Sequence, residues 1–196
     1  MIKAVIFDCF GVVIRDVLTH TISELKGANR DEEAAEIHSL MHAADRGIMP
    51  QDESLEAISG ILGITKNELM DELKNGEVPN TELLDFIKTL RPQYKTAMMS
   101  NISSRERIET RLDNHSLDEW FDDVIVSGEV GHVKPEPAIY ELTLKKLGVT
   151  ANEAIFTDDI EYFCQVGEEL GLHVVPFEST KQFMHELKHL EEKYGD

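Results

Sequence analysis

Only 2 of the 196 residues are cysteine, so no disulfide framework staples this chain, and a reducing cytoplasm is the expected compartment. Basic residues are scarce: 19 Lys and Arg stand against 38 Asp and Glu, a formal net charge of -19 at pH 7. Such a surface repels nucleic acid and anionic membranes, so neither is expected as a partner. No apolar run approaches the ~20 residues of a membrane span. The opening run MIKAVIF is cut by Asp8 before it reaches the length of a signal-peptide core. There is no internal repeat, low-complexity tract, Gly/Ser linker, Walker loop or dinucleotide-type glycine-rich loop. An anionic substrate would have to be drawn in locally, by a metal or a well-placed lysine.

What remains is globular composition, 41% apolar and 29% charged, on a length that suits one domain or one core with an insertion. Short apolar runs recur: KAVIFD at the start, then YKTAMMSN (94–101), DDVIVSG (122–128), EAIFTDD (153–159) and LHVVPF (172–177). Each has the length and continuous apolarity of a strand buried on both faces. Helical patterns separate the later ones. SSRERIETRLDNH (103–115) opens on serines suited to capping, PEPAIYELTLKKLG has prolines in its first turn and a terminal glycine, and residues 160–170 close on Gly171. The tail from about 179 to 194 places Phe183, Leu187 and Leu190 at helical spacing. Strands alternating with helices predict an α/β fold with a parallel sheet covered on both faces.

Residues 16–81 break the alternation. TISELKG, DEEAAEIHSLMHAAD, QDESLEAISGILG and KNELMDELKNG are helical in period, and no β-type run lies among them. One crossover helix would suffice between two parallel strands, so 16–81 reads as an inserted all-helical subdomain. The core would then be 1–15 and 82–196. The insertion is expected over the carboxyl edge of the sheet, where such folds bind ligands.

Four positions at apolar-run ends carry chemistry. Asp8 ends the first run and is followed by a loop whose amides and carboxylate could attack an electrophile or hold a cation; turn capping is the alternative. Ser100 and Asn101 end the second, where a hydroxyl and amides could hold a phosphate oxygen, or cap the next helix. Lys134 sits in a loop stiffened by Pro135 and Pro137. Asp158 and Asp159 end the fourth run, and adjacent carboxylates invite a cation between them, Mg²⁺ above all. Adjacent acids also end ordinary strands, as Asp122 and Asp123 illustrate. A parallel sheet brings such ends to one edge, so the combination says more than any member.

On those residues the chain resembles the haloacid dehalogenase-like hydrolase superfamily. IFDCFGVV, MMSN, VKPEPAIY and FTDDIEYF are similar to its four motifs, and the helical block to a cap inserted after the first. The nearest likeness is to phosphatases similar to the amino-terminal domain of soluble epoxide hydrolase and to bacterial sugar-phosphate phosphatases. The resemblance implies a Rossmann-like parallel sheet and a Mg²⁺-dependent phosphatase of a small phosphorylated metabolite. It implies Asp8 as the nucleophile forming an aspartyl-phosphate and, with the Phe10 carbonyl and Asp159, as metal ligand. Ser100 and the Asn101 amide would hold the phosphoryl group, and Lys134 would neutralise nucleophile and phosphate. Asp158 would orient Lys134 or a metal-bound water.

One departure is Phe10, where most phosphatases of the superfamily carry a general acid/base aspartate. Its absence favours substrates that leave as stable anions, unless Asp16 or a residue of the helical block supplies a proton. It also keeps open a dehalogenase, whose carboxylate substrate Asp158 and Asp159 would repel, and a catalytically silent binder of a phosphometabolite or protein. Cys9 reads as a buried thiol, His20, His38 and His42 as exposed helix residues, and Arg15, Asp16 and Arg46 as helix-surface charge.

Overall fold

Ala4–Phe7 forms the first strand, β1, and none of its four residues has surface exposed to solvent. Its side chains alternate between two apolar layers. Val5 and Phe7 enter one cluster and Ala4 and Ile6 the other, which is why the segment is apolar without interruption. The computed structural model describes residues 1–113 and 115–194; Asn114, within the segment read as helix over 103–115, lies outside the described residues, as do Gly195 and Asp196.

Five helices follow β1: α1 (Val17–Gly27), α2 (Asp31–Asp45), α3 (Gln51–Leu62), α4 (Lys66–Gly76) and α5 (Thr81–Leu90). The rest of the chain alternates: β2 (Lys95–Ser100), α6 (Arg105–Arg111), β3 (Asp123–Val126), α7 (Ser127–Val130), α8 (Pro137–Leu147), β4 (Ala154–Asp158), α9 (Glu161–Glu169), β5 (His173–Pro176) and α10 (Thr180–Tyr194). The five strands are all parallel in the order β3-β2-β1-β4-β5, with β1 central. The α/β fold with a Rossmann-like parallel sheet is therefore as expected. Helices α5, α6 and α10 pack on the face that holds Phe7 and Ile155, and α8 and α9 on the face that holds Ile6 and Phe156.

Helices α1–α4 enclose a third apolar cluster of their own, built on Leu18, Ile22, Ile37, Ile58, Leu69 and Leu73. Their ends follow local chemistry. Asp16 accepts from Thr19 N at 2.9 Å and so starts α1 four residues before the expected TISELKG. Thr65 and Glu68 make a reciprocal capping box at α4. Between this layer and the sheet lies a buried charge cluster. Glu77 accepts from Arg107 and Arg111, both at 2.7 Å, and its side chain is 1% exposed.

Two local expectations need correction. Neither Ser103 nor Ser104 caps α6; Ser104 makes no side-chain cap bond, and Ser103 Oγ instead donates to Gln51 at the start of α3. Helix α6 also stops at Arg111, because Asp113 takes a left-handed conformation with φ 54°. The other helices end as read: Pro137 opens α8 and Gly148 closes it at φ 67°.

Candidate active site

Parallel strands bring their carboxyl ends to one edge, and Asp8, Ser100 and Asp158 arrive there as the register requires. Phe7 pairs with Met98 of β2 and Thr157 of β4, so Asp8 lies just beyond the rim between Ser100 and Asp158. Asp8 N donates to Thr157 O at 2.9 Å, tying the start of the loop to the neighbouring strand. Lys134 does not follow β3 directly. The one-turn helix α7 intervenes, closed by Gly131 at φ 75°, and carries the chain back over the edge.

The Lys134 side chain is 1% exposed. Its Nζ pairs with Asp8 Oδ1 and, at 2.6 Å, with Asp158 Oδ2. It also stands 5.1 Å from the Phe163 ring centroid. Burial works against the ammonium, but Asp158 and Asp8 outweigh it and push the lysine pKa up, so it is a fixed cation. Burial pushes the Asp8 carboxyl up; Lys134 pulls the other way, and Asp158 and Asp159 add to the rise. Asp158 is fully buried and oriented on its second oxygen by Ile160 N at 2.9 Å.

Asn101 acts through its side chain. Its Oδ1 accepts from Lys134 N at 2.7 Å and its Nδ2 donates to Lys134 O at 2.9 Å, so the lysine loop is clamped to the end of β2. Ser100 is buried and lines the cleft beside Asp8 and Lys134.

Asp8, Asp158 and Asp159 each offer an oxygen within 4.8 Å of the others. Three carboxylates against one lysine leave a surplus of negative charge that suits a divalent cation with hard oxygen ligands. Asp159 is the exposed member; partial desolvation, then Asp158, raise its carboxyl to about 6. Gly11, at φ 103°, lets Asp159 approach: a Cβ there would lie 2.3 Å from the Asp159 carboxyl.

A cleft of about 390 Å³ opens above this edge, walled on the far side by α1 and α2. His38 and His42 are exposed on its rim, as expected. Phe10 lines it, its ring packed 4.9 Å from the Arg107 guanidinium. Asp16 lines it while capping α1, and Arg46 is not free helix charge but pairs with Glu136. Asp122 and Asp123 serve the strand end: Asp122 accepts from Thr96 N and Arg91, and Asp123 pairs with Lys146. Cys9 is buried, and burial pushes its thiol well up, away from reactive thiolate.

Sequence reading missed Asp45 and Arg107. Asp45 carries the one available signal: with His38, Met41 and His42 it completes an i, i+3, i+4, i+7 set on α2, and all four line the cleft.

The sequence profile of haloacid dehalogenase-like hydrolases matches residues 2–171. The chain is 27% identical to D-ribitol-5-phosphate phosphatase of Bacteroides thetaiotaomicron over 95% of this chain and 97% of that one. It is 26% identical to (S)-2-haloacid dehalogenase 2 of a Pseudomonas species, over 88% of this chain and 82% of that one. Among solved structures, a haloacid dehalogenase family enzyme of Bacteroides thetaiotaomicron, in complex with magnesium and inorganic phosphate, superimposes with a TM-score of 0.69 at 21% identity, over 91% of this chain and 95% of that one. That likeness shows the shared fold. No helix among the described residues is long and apolar enough to cross a membrane.

Proposed function

The chain belongs to the haloacid dehalogenase-like hydrolase family, and we propose that within it the protein is a Mg²⁺-dependent phosphatase of a small phosphorylated metabolite, working through Asp8. The observation that carries the reading is the buried Lys134 held between Asp8 and Asp158, with Asp159 completing a carboxylate cluster on the sheet edge. The D-ribitol-5-phosphate phosphatase and the magnesium and phosphate complex of the structural neighbour support it.

Asp8 and Asp159, with the Phe10 carbonyl, would hold the metal. Bound there, Mg²⁺ supplies positive charge that lets an anionic nucleophile approach an anionic phosphate and stabilises the charge that develops. The remaining steps belong to the protein. Asp8 attacks phosphorus, the leaving oxygen departs, and an aspartyl-phosphate forms; water then releases phosphate and restores the carboxylate. Lys134 neutralises both partners throughout, and Asp158 holds the ammonium in place. Ser100 and the Asn101 amide bind the phosphoryl oxygens.

A second reading rests on Phe10 and the haloacid dehalogenase relative: hydrolysis of a halocarboxylate by the same Asp8 without metal. The acid pair beside the nucleophile opposes it. Phosphate release from a panel of sugar phosphates, nucleotides and acyl phosphates, with Mg²⁺ or EDTA, separates the two. Mg²⁺-dependent release on any member supports the phosphatase. Halide release from a 2-haloacid, retained in EDTA, replaces it with the dehalogenase.

A further inference from the structure

Phe10 cannot move a proton, and the cleft contains a carboxyl group that can. Asp45 ends α2, is half-buried, and lines the cleft that also holds Asp8, Ser100 and Lys134. It lines the adjoining cavity of about 70 Å³ as well, which Phe10 and Arg107 share. Its backbone is anchored: Ser127 Oγ donates to Asp45 O at 2.6 Å, and the next residue, Arg46, pairs with Glu136 across to the loop before α8. Its carboxyl makes no hydrogen bond or ion pair with another described residue, those of the Asp8, Asp158 and Asp159 cluster included. Asp16, the other acid of the cleft wall, is engaged as the cap of α1 and accepts from Thr19 N.

We propose that Asp45 is a catalytic residue: it reaches from the helical layer to the leaving oxygen of the substrate and acts there as the general acid and base that position 10 lacks. The inference rests on the phosphatase reading. In the first half-reaction the Asp8–phosphorus bond forms, the bond from phosphorus to the leaving oxygen breaks, and the Asp45 proton passes to that oxygen, releasing an alcohol. In the second, the Asp45 carboxylate takes a proton from water as the water oxygen bonds to phosphorus. The Asp8–phosphorus bond then breaks, and Asp8 and Asp45 return to their starting states.

The surroundings suit both halves. Burial, the largest influence, raises the Asp45 carboxyl from the ordinary 3.8 to about 7. Arg107 of α6 and Lys134 of the loop before α8 oppose the rise, and Asp16 at the start of α1 adds to it. Just past the end of α2, Arg46 is engaged with Glu136, and on the helix burial, Arg46 and His38 lower the His42 pKa. An acid and base balanced near neutral pH serves best at donating and then accepting one proton.

The test compares Asp45→Asn with the unmutated protein on a primary alkyl phosphate, a hexose 6-phosphate, and on p-nitrophenyl phosphate, whose phenolate leaves unaided. General acid help is typically worth ~10²–10⁴-fold. The expected result is a loss of that size in kcat/KM on the hexose 6-phosphate, a loss below ~10-fold on the aryl ester, and disappearance of the alkaline limb near pH 7 from the alkyl profile. Equal losses on both esters, or an alkaline limb that survives substitution, overturn the role of Asp45 while leaving the phosphatase standing. Absence of Mg²⁺-dependent release by the unmutated protein from p-nitrophenyl phosphate, the hexose 6-phosphate and every other member of the panel overturns the phosphatase reading and this inference with it.

Discussion

Lys134 and Asp8, 126 positions apart in the chain, form a buried ion pair in which the lysine side chain is 1% exposed and the aspartate 7%. Asp158 shares the same ammonium at 2.6 Å. Neither carboxylate has a second cation of the protein within ion-pair distance among the described residues.

Removing the lysine therefore leaves two buried carboxylates facing each other. Breaking a buried pair by deleting one partner costs ~3–5 kcal/mol. We expect Lys134→Met to lose about that much in urea unfolding without Mg²⁺, and to regain part of it when Mg²⁺ is added, since binding to the folded state alone stabilises it. Asp8→Asn keeps the Asp158 partner, so its stability loss should be smaller while turnover falls by ~10³-fold or more. Near-normal turnover in Asp8→Asn would remove the nucleophile from the mechanism.

The proposed metal role of Asp159 makes Mg²⁺ affinity depend on pH. Its carboxyl sits at about 6, raised by partial desolvation and by Asp158. A proton and a cation compete for the same oxygens. Mg²⁺ affinity by calorimetry should fall as pH drops from 7 through 6 to 5, and Asp159→Asn should weaken binding ~10-fold or more at pH 7.5. A variant with unchanged affinity would show that the cation does not use this side chain.

Gly11 gives a purely steric test. At φ 103°, with its added Cβ 2.3 Å from the Asp159 carboxyl, Gly11→Ala must strain the backbone and displace Asp159 together. A residue forced into a sparsely allowed conformation costs ~1–3 kcal/mol. Lower melting temperature and weaker Mg²⁺ binding in the same variant are the expected pair of outcomes. Retention of both would mean that the loop relaxes freely.

Asp45 has a signature in stability as well as in rate. Its carboxyl is raised from 3.8 to about 7 in the folded protein, so the folded state holds the proton more tightly than the unfolded. The stability this contributes is full below pH 4 and is lost as pH rises through 7. In Asp45→Asn that loss cannot occur. The melting temperature of the variant relative to the unmutated protein should therefore climb between pH 4 and pH 8, at ~2–4 °C per kcal/mol for a chain of this size. A difference that stays flat across this range would place the carboxyl in water.

The strands were legible because burial on both faces leaves few residue types to choose from. KAVIFD, TAMMS and AIFTD can be little else in an α/β chain, and strand ends in a parallel sheet share an edge. The meeting of Asp8, Ser100 and Asp158 at one edge therefore followed from pattern, while their roles came only from the family resemblance. Helix starts were less legible. Asp16 caps α1 one turn before the TISELKG run although Leu18, Ile22 and Leu25 share one face, and the serines before α6 turn elsewhere, since one hydroxyl can serve a helix end or a distant side chain equally well.

The sequence by itself determined the strand cores, the helical interruption between the first two strands, and the acids at the strand ends, because these depend on period and polarity over a few residues. Tertiary structure decided which groups meet. Helix α7 carries Lys134 back to Asp8, Asn101 clamps the lysine loop through its side chain, and the docking of α2 brings Asp45 to line the same cleft as Phe10. Those contacts join residues from distant segments through packing between layers, and no local pattern encodes the distance at which two layers settle.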